Sequence, residues 1–178
     1  MPADGSKRKQ LSGKQSLRRA PAPGNWPAST CDCPDCRQAC QNSPGWFLPG
    51  QIEPLARVLG RSPQELFRAC LALGTTQMPT GKRMLGVMPH KLRDFKKPGQ
   101  IWALNELADP GRCIFYEHGK CAIYDVRPYE CSRMHHSHTA RQTHELRHFI
   151  VRQWNREALA PYLAWARGRP SGKASRRR

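Results

Sequence analysis

No long apolar run is present in this sequence. Nothing approaches the roughly 18 consecutive apolar residues that a membrane-spanning helix needs. The first twenty residues also lack the apolar stretch of about 7–15 residues that a secretory signal requires, because Leu11 and Leu17 stand nearly alone. Their arginine- and serine-rich, acid-poor makeup partly fits an organelle transit peptide, but proline and glycine oppose an amphipathic helix there. The expected location is the cytoplasm. Acidic residues are scarce, 13 against 30 Lys and Arg, leaving a formal charge of +17. Hydrophobic residues make up 38% of the 178, too many for a wholly disordered chain and few for a large self-sufficient core. A metal centre would help such a domain hold together.

The charge is unevenly spread. Residues 1–20 contain six basic side chains and one acid, and residues 167–178 contain six more and no acid. Both ends are rich in Ser, Gly, Ala and Pro and cannot bury apolar area. The sequence therefore divides into a basic disordered tail over 1–29, a cysteine-cluster domain over 30–166 and a second basic disordered tail over 167–178. Such tails favour solubility. They also suit loose, salt-dependent contact with nucleic acid or an acidic partner.

Eight cysteines in a reducing compartment point to metal or redox chemistry rather than to a disulfide framework. They fall into two groups. The first is Cys31-Asp-Cys33-Pro-Asp-Cys36-Arg-Gln-Ala-Cys40, and the second is Cys113, Cys121 and Cys131. A Cys-x2-Cys step lets two thiolates of one tight turn grip the same ion. The polar neighbours of Cys33, Cys36 and Cys40 do not suit inert buried cysteines, which behave as small hydrophobes. Cys70, inside an apolar helical pattern, does suit that reading.

In the second group, Cys113-Ile-Phe-Tyr116 and Cys121-Ala-Ile-Tyr124 are short β-prone runs flanking Glu117-His118-Gly119. A three-residue hairpin loop pairs Tyr116 with Lys120 and Phe115 with Cys121, and puts Cys113 and Cys121 on one face. A two-residue loop would place them on opposite faces. Pro128 then opens a short helix with Cys131 in its first turn, where backbone N–H groups favour a thiolate. Arg127 is expected to pair with a local acid and fix the exit of the second strand.

The stretch Cys113-Ile-Phe-Tyr-Glu-His-Gly-Lys-Cys121-Ala-Ile-Tyr-Asp-Val-Arg127-Pro128-Tyr-Glu-Cys131 resembles the signature of the YkgJ-type cysteine-cluster family, zinc- or iron-chelating proteins often described as containing an Fe–S cluster. The family's other signature is roughly Cys-x2-Cys-x2-Cys-Cys. Cys33, Cys36 and Cys40 match three of its positions, and Ala39 occupies the fourth, for which Cys31 could substitute. Pro44 to Glu53 is similar to the family's link into its first helix. The resemblance spans roughly residues 31–135 and implies metal binding without a defined reaction.

The rest of the domain reads as helices. Gln51 to Leu59 puts Ile52, Leu55, Val58 and Leu59 on one face. Ser62-Pro63-Gln64-Glu65 is a capping box opening a helix to about Leu73. This pair could form a DNA-reading helix-turn-helix, a pattern that more often means plain packing. Residues 74–100 read as irregular and basic. Gly74 to Lys82 fails as a phosphate loop because six residues separate its glycines and Arg83 follows the lysine. Ile101 to Ala108 reads as a short helix. A longer one runs from Thr139 to Ala158 with Leu146, Phe149, Ile150 and Trp154 buried, and Pro161 kinks it or begins another piece. That helix contains His144-Glu145-Leu146-Arg147-His148, literally the zinc-peptidase string. Crowding by arginines and the need to bury Leu146 argue instead for a solvated basic face.

The fold class expected is α+β, mostly helical, a small single domain organised around a cysteine-ligated metal centre with a short β-hairpin. The ligands expected are Cys33, Cys36, Cys40, Cys113, Cys121 and Cys131. They would hold an iron–sulfur cluster such as [4Fe–4S], or zinc, with recruitment of a histidine such as His118 or His135 as one variant. Trp46, Phe47, Phe115, Tyr116, Tyr124 and Tyr129 would shield it. The expected function is metal binding with a redox or accessory role. The competing class is a nucleic-acid-binding module with a structural zinc.

Overall fold

The computed structural model describes residues 26–168. Most of both expected tails therefore lies outside the described residues. The fold is α+β, with seven α-helices, a three-stranded sheet and a two-stranded hairpin among those residues.

Helix α1 (Pro34–Asn42) carries the second half of the first cysteine group. A 3-10 turn at Pro49–Gln51 leads into α2 (Ile52–Val58), and α3 (Pro63–Cys70) follows. Two of these boundaries follow the local chemistry. The Ser62 hydroxyl accepts the Glu65 N–H while the Glu65 carboxylate accepts the Ser62 N–H, which is the expected capping box. Gly60 adopts φ +62 between the helices. Ile52 and Leu55 are buried as expected, but Val58, the last residue of the helix, is 63% exposed. The inner side of α3 is covered by α7 (Arg156–Arg167), where Phe67 meets Tyr162 at 5.4 Å and Trp165 at 6.0 Å. The two-helix pattern is thus ordinary packing.

The largest correction concerns residues 71–102. Instead of a longer helix and an irregular stretch, the chain forms β1 (Leu71–Gln77), β2 (Arg83–Pro89) and β3 (Ile101–Trp102), in the order β2-β1-β3. β1 pairs antiparallel with β2 and parallel with β3. Leu71, Ala72, Leu73 and Gly74 are all buried, so this central strand is covered on both faces and shows no alternation. A continuous apolar run of this kind cannot be told from a buried helix by period. Gly74 faces Gly86 across the ladder, and the Trp46 indole lies on the pair. A Cβ on either glycine would come within 2.8 Å of that ring. Helix α4 is correspondingly shorter, Leu104–Ala108. Two basic residues of this stretch are committed. Lys91 is buried and its ammonium donates to the carbonyls of Leu107 and Asp109, closing α4, while Lys96 pairs with Glu106 at 2.9 Å.

The long C-terminal helix is two helices. α6 (Ala140–Gln153) begins at a Thr139 capping box and ends at Trp154, and Asn155 caps α7. Pro161 lies within α7, so the break comes before it. Leu146, Ile150 and Trp154 are buried as expected, with Val151, and Phe149 is only half-buried. Trp154 donates its indole N–H to the Phe47 carbonyl at 2.7 Å. Trp26 is buried against His138, so packed residues extend N-terminal of position 30.

Candidate metal centre

The cysteine region docks beside the sheet by backbone pairing. Leu92 N–H donates to Arg112 O and Ile114 N–H to His90 O, so residues 112–114 run along the chain that leaves β2. Cys113 N–H donates to Cys40 O at 2.8 Å, joining the two cysteine groups directly.

The hairpin is tighter than expected. β4 (Tyr116–Glu117) and β5 (Lys120–Cys121) pair Tyr116 with Cys121 and Glu117 with Lys120. The loop is therefore the two residues His118 and Gly119, at φ 48 and 77, a loop of the I′ kind that suits strand twist. The strands are so short that side-chain alternation does not reach Cys113, which lies outside β4 in a bridge with Lys91. Cys113 and Cys121 hence line one cavity despite the two-residue loop. Cys131 lies in α5 (Tyr129–Arg133), one turn after Pro128, as expected. Burial there dominates any helix-start effect and pushes its thiol well above the ordinary range. Among the described residues Arg127 forms no ion pair with an acid. It donates to the carbonyls of Tyr124 (2.7 Å) and Ser29 (3.1 Å) and covers the Tyr124 ring at 3.8 Å.

A buried ion pair fixes α5. Glu130 is 0% exposed, accepts the Trp46 N–H at 2.9 Å, and binds the Arg147 guanidinium at 2.8 Å. This spends the arginine of the peptidase-like string. Glu145 of that string pairs with Arg141, and His148 Nε2 lies 3.1 Å from the Gln77 carbonyl oxygen. No group of three ligand atoms within 4.8 Å involves His144, Glu145 or His148 among the described residues.

One such group does form, from Cys31, Cys33, Cys36 and His136, whose ligand atoms all lie within 4.8 Å of one another. His136 Nδ1 is 3.3 Å from Cys33 Sγ, 3.5 Å from Cys31 Sγ and 3.7 Å from Cys36 Sγ. A single ring nitrogen cannot satisfy three thiols by hydrogen bonding. A tetrahedral ion can, because Zn–S of about 2.3 Å and Zn–N of about 2.0–2.1 Å place sulfur and nitrogen about 3.6 Å apart. Cys33 is the N-cap of α1 with Pro34 at the first helical position. Interaction with the Cys36 N–H pulls the Cys33 thiol down to about 7, whereas burial first, then the neighbouring thiols, raises Cys36. A thiol lowered in this way is partly ionised near neutral pH, and the thiolate is the form that ligates a metal. Arg37 and Asp32 form a two-point ion pair across the same loop, 2.8 Å at each contact.

The six expected ligands therefore divide. Cys33 and Cys36 join Cys31 and His136. Cys40, Cys113, Cys121 and Cys131 line a cavity whose wall also includes Cys31 and Cys36. Cys70 is in neither set and takes a contact from Arg61 at 3.2 Å. Of the two histidines considered, His118 is in the exposed hairpin turn and His135 contacts Ser137. His136 carries no local signal, being one of three histidines within four residues, and only the docking of residues 132–136 against 29–36 selects it. Of the expected aromatic shell, Phe115, Tyr116 and Tyr124 line the cavity, whereas Trp46 and Phe47 belong to the core and Tyr129 packs on Phe149. No helix among the described residues is long and apolar enough to cross a membrane. No family model, no curated protein and no solved structure matches this chain.

Proposed function

We propose that this chain is a thiolate metal-binding protein of the YkgJ cysteine-cluster type, in which Cys31, Cys33, Cys36 and His136 hold one structural zinc ion. The observation that carries the reading is His136 Nδ1 at 3.3–3.7 Å from three thiols that lie about a hundred positions earlier in the chain. Three cysteines and a histidine are a closed structural zinc set. All four positions are filled by the protein, so no position is left for a substrate, and the ion's contribution is to tie residues 31–36 to the segment after α5. Iron–sulfur chemistry with a redox or accessory role attaches to the remaining thiols rather than to this quartet.

The test is zinc per chain by elemental analysis after anaerobic purification, followed by competition with a chelator. Changing outer-shell partners of a metal typically costs about 10–100-fold in affinity, so loss of a ligand in His136→Ala is expected to weaken zinc binding at least that much. The same substitution at His135 should leave it nearly unchanged. Equal zinc affinity in His136→Ala and the parent chain would overturn the assignment.

The formal charge of +17 favours a second reading, in which the same structural zinc supports a nucleic-acid-binding module. The salt dependence of binding discriminates the two.

A further inference from the structure

The His144-Glu145-Leu146-Arg147-His148 string takes no part in the metal centre, yet its helix turns a charged side outward. Leu146 and Ile150 bury the inner side of α6, and Arg147 reaches in to Glu130. His144, His148 and Arg152 follow one another at four-residue steps, on successive turns of one face. At about 1.5 Å per residue the row is about 12 Å long. The His144 and His148 rings stand 6.1 Å apart.

The hairpin that joins β1 to β2 meets this row. His148 Nε2 lies 3.1 Å from the Gln77 carbonyl oxygen, and Gln77 faces Arg83 across the ladder. Lys82 closes the hairpin tip, its carbonyl accepting the Met78 N–H, with Gly81 at φ 80 making the turn. Lys82, Arg83, His144 and Arg152 are exposed, and His148 is half-buried. Among the described residues, Lys82, Arg83 and Arg152 form no ion pair. Glu145, the one acid of α6, is held by Arg141 at 2.8 Å.

We propose that this outer face of α6, together with the β1–β2 hairpin tip, is a binding surface for the phosphate backbone of nucleic acid. The inference rests on the nucleic-acid-binding reading above and names the surface that serves it.

An arginine in the last turn of a helix complements the helix carbonyls, which would account for Arg152 alone. It does not account for Lys82 and Arg83, which arrive from a separate element. Like charges at four-residue spacing oppose helix formation, so a row of them without acids carries a field that the protein itself leaves unbalanced. That field is felt at His148. Burial first, and then the charges of His144, Arg152 and Arg147, hold its imidazole below the ordinary histidine range against the opposing Gln77 carbonyl, and no carboxylate acts on it.

The surroundings favour phosphate over other anions. Among the described residues, the exposed large apolar side chains are Val58, Leu92, Phe95, Ile101, Leu104 and Tyr124, none of them on α6 or the hairpin. A helix that lies on a lipid surface buries an apolar face there, and a protein partner is gripped by aromatic or aliphatic anchors. This face offers neither. Cations without apolar contacts suit the sequence-independent hold on a backbone whose phosphates recur about every 3.4 Å of duplex axis on each strand. A phosphate beside His144 and His148 also favours their charged forms, so binding should strengthen as pH falls through the histidine range.

The experiment uses the full chain loaded with one equivalent of zinc, a random-sequence duplex and the corresponding single strand, with binding followed against salt. Arg83→Ala with Arg152→Ala is compared with Arg57→Ala with Lys97→Ala, which removes two exposed charges elsewhere. Zinc per chain and melting temperature should match the parent in both. The first pair is expected to flatten the slope of log affinity against log salt by up to about 1.8, at about 0.9 per lost contact, and the second by much less. His144→Gln with His148→Gln should bind as the parent does near pH 7.5 but miss the strengthening that the parent shows near pH 6. Equal slopes in the two arginine-containing pairs would overturn this surface while leaving nucleic-acid binding itself intact. A pH response that survives in the histidine variant would remove the two histidines from it. A parent chain that binds neither nucleic acid would refute the underlying reading and this inference with it, and so would charge-dependent binding confined to vesicles of anionic lipid.

Discussion

Glu130 is the residue on which the ligand-bearing segment depends, although it ligates nothing. Its carboxylate is fully buried between the Trp46 N–H and the Arg147 guanidinium, one position before Cys131. Removing one member of a buried pair strands the other, which typically costs about 3–5 kcal/mol. Glu130→Ala is therefore expected to lower unfolding free energy by about that amount in a denaturant titration. Glu145→Ala, in an exposed pair with Arg141 one turn apart, should cost under about 0.5 kcal/mol. Similar losses in both would show that Glu130 does not bear the load assigned to it. The comparison also bears on what the sequence discloses at this scale. His144-Glu145-Leu146-Arg147-His148 is legible as a motif, but its chemistry is decided by partners far away in sequence. Arg147 answers Glu130, and His148 contacts the Gln77 carbonyl. His136 is the converse case, a ligand candidate with no spacing signal, because its partners lie about a hundred positions earlier.

Elements that announce their own ends were legible. Ser62 and Glu65 start α3, Thr139 and Gln142 start α6, and Pro128 precedes α5, each through contacts within three residues. The sheet was not, because its signals are non-local. β1 is buried on both faces and so lacks alternation, and its apolar residues continue the spacing of α3. The hairpin lies where the β-prone runs place it but one residue out of the expected register, since His118 as well as Gly119 takes a positive φ and the loop closes in two residues. Gly74 and Gly86, which read as loop residues, in fact make room for Trp46 between sheet and helices. Gly74→Ala would put its Cβ 2.7 Å from the Trp46 ring, in a strand flanked on both sides. Overpacking of this kind typically costs about 1–3 kcal/mol. The expected result is a lower melting temperature with altered tryptophan fluorescence, whereas Gly50→Ala, with nothing within 4 Å, should stay within about 0.5 kcal/mol. An unperturbed Gly74→Ala would mean that Trp46 is not held against the sheet as described.

Over the whole molecule, the candidate metal ligands and the unbalanced positive charge occupy different parts of the sequence. Both cysteine groups could be read from spacing, and so could their convergence. The grouping of Cys31, Cys33 and Cys36 with His136 could not, because it depends on the docking of residues 132–136 against 29–36. Within the described residues, much of the positive charge is internally committed: Arg37 to Asp32, Lys96 to Glu106, Arg147 to Glu130, and Lys91 to the end of α4. Side chains engaged in this way are poorly placed to neutralise phosphates. The twelve basic side chains of residues 1–20 and 167–178, set against a single acid, are not balanced by their own segments. If the chain binds nucleic acid, those segments should supply most of the attraction. Each phosphate contact contributes about −0.9 to the slope of log affinity against log salt on duplex DNA. Deleting both segments should therefore weaken binding to a random-sequence duplex and flatten that slope by several units, while leaving zinc per chain unchanged. An unaltered slope would place the binding charge on the folded part. Loss of zinc on deletion would show that the ends help to build the quartet, in which case charge and metal are not the separate provinces described here.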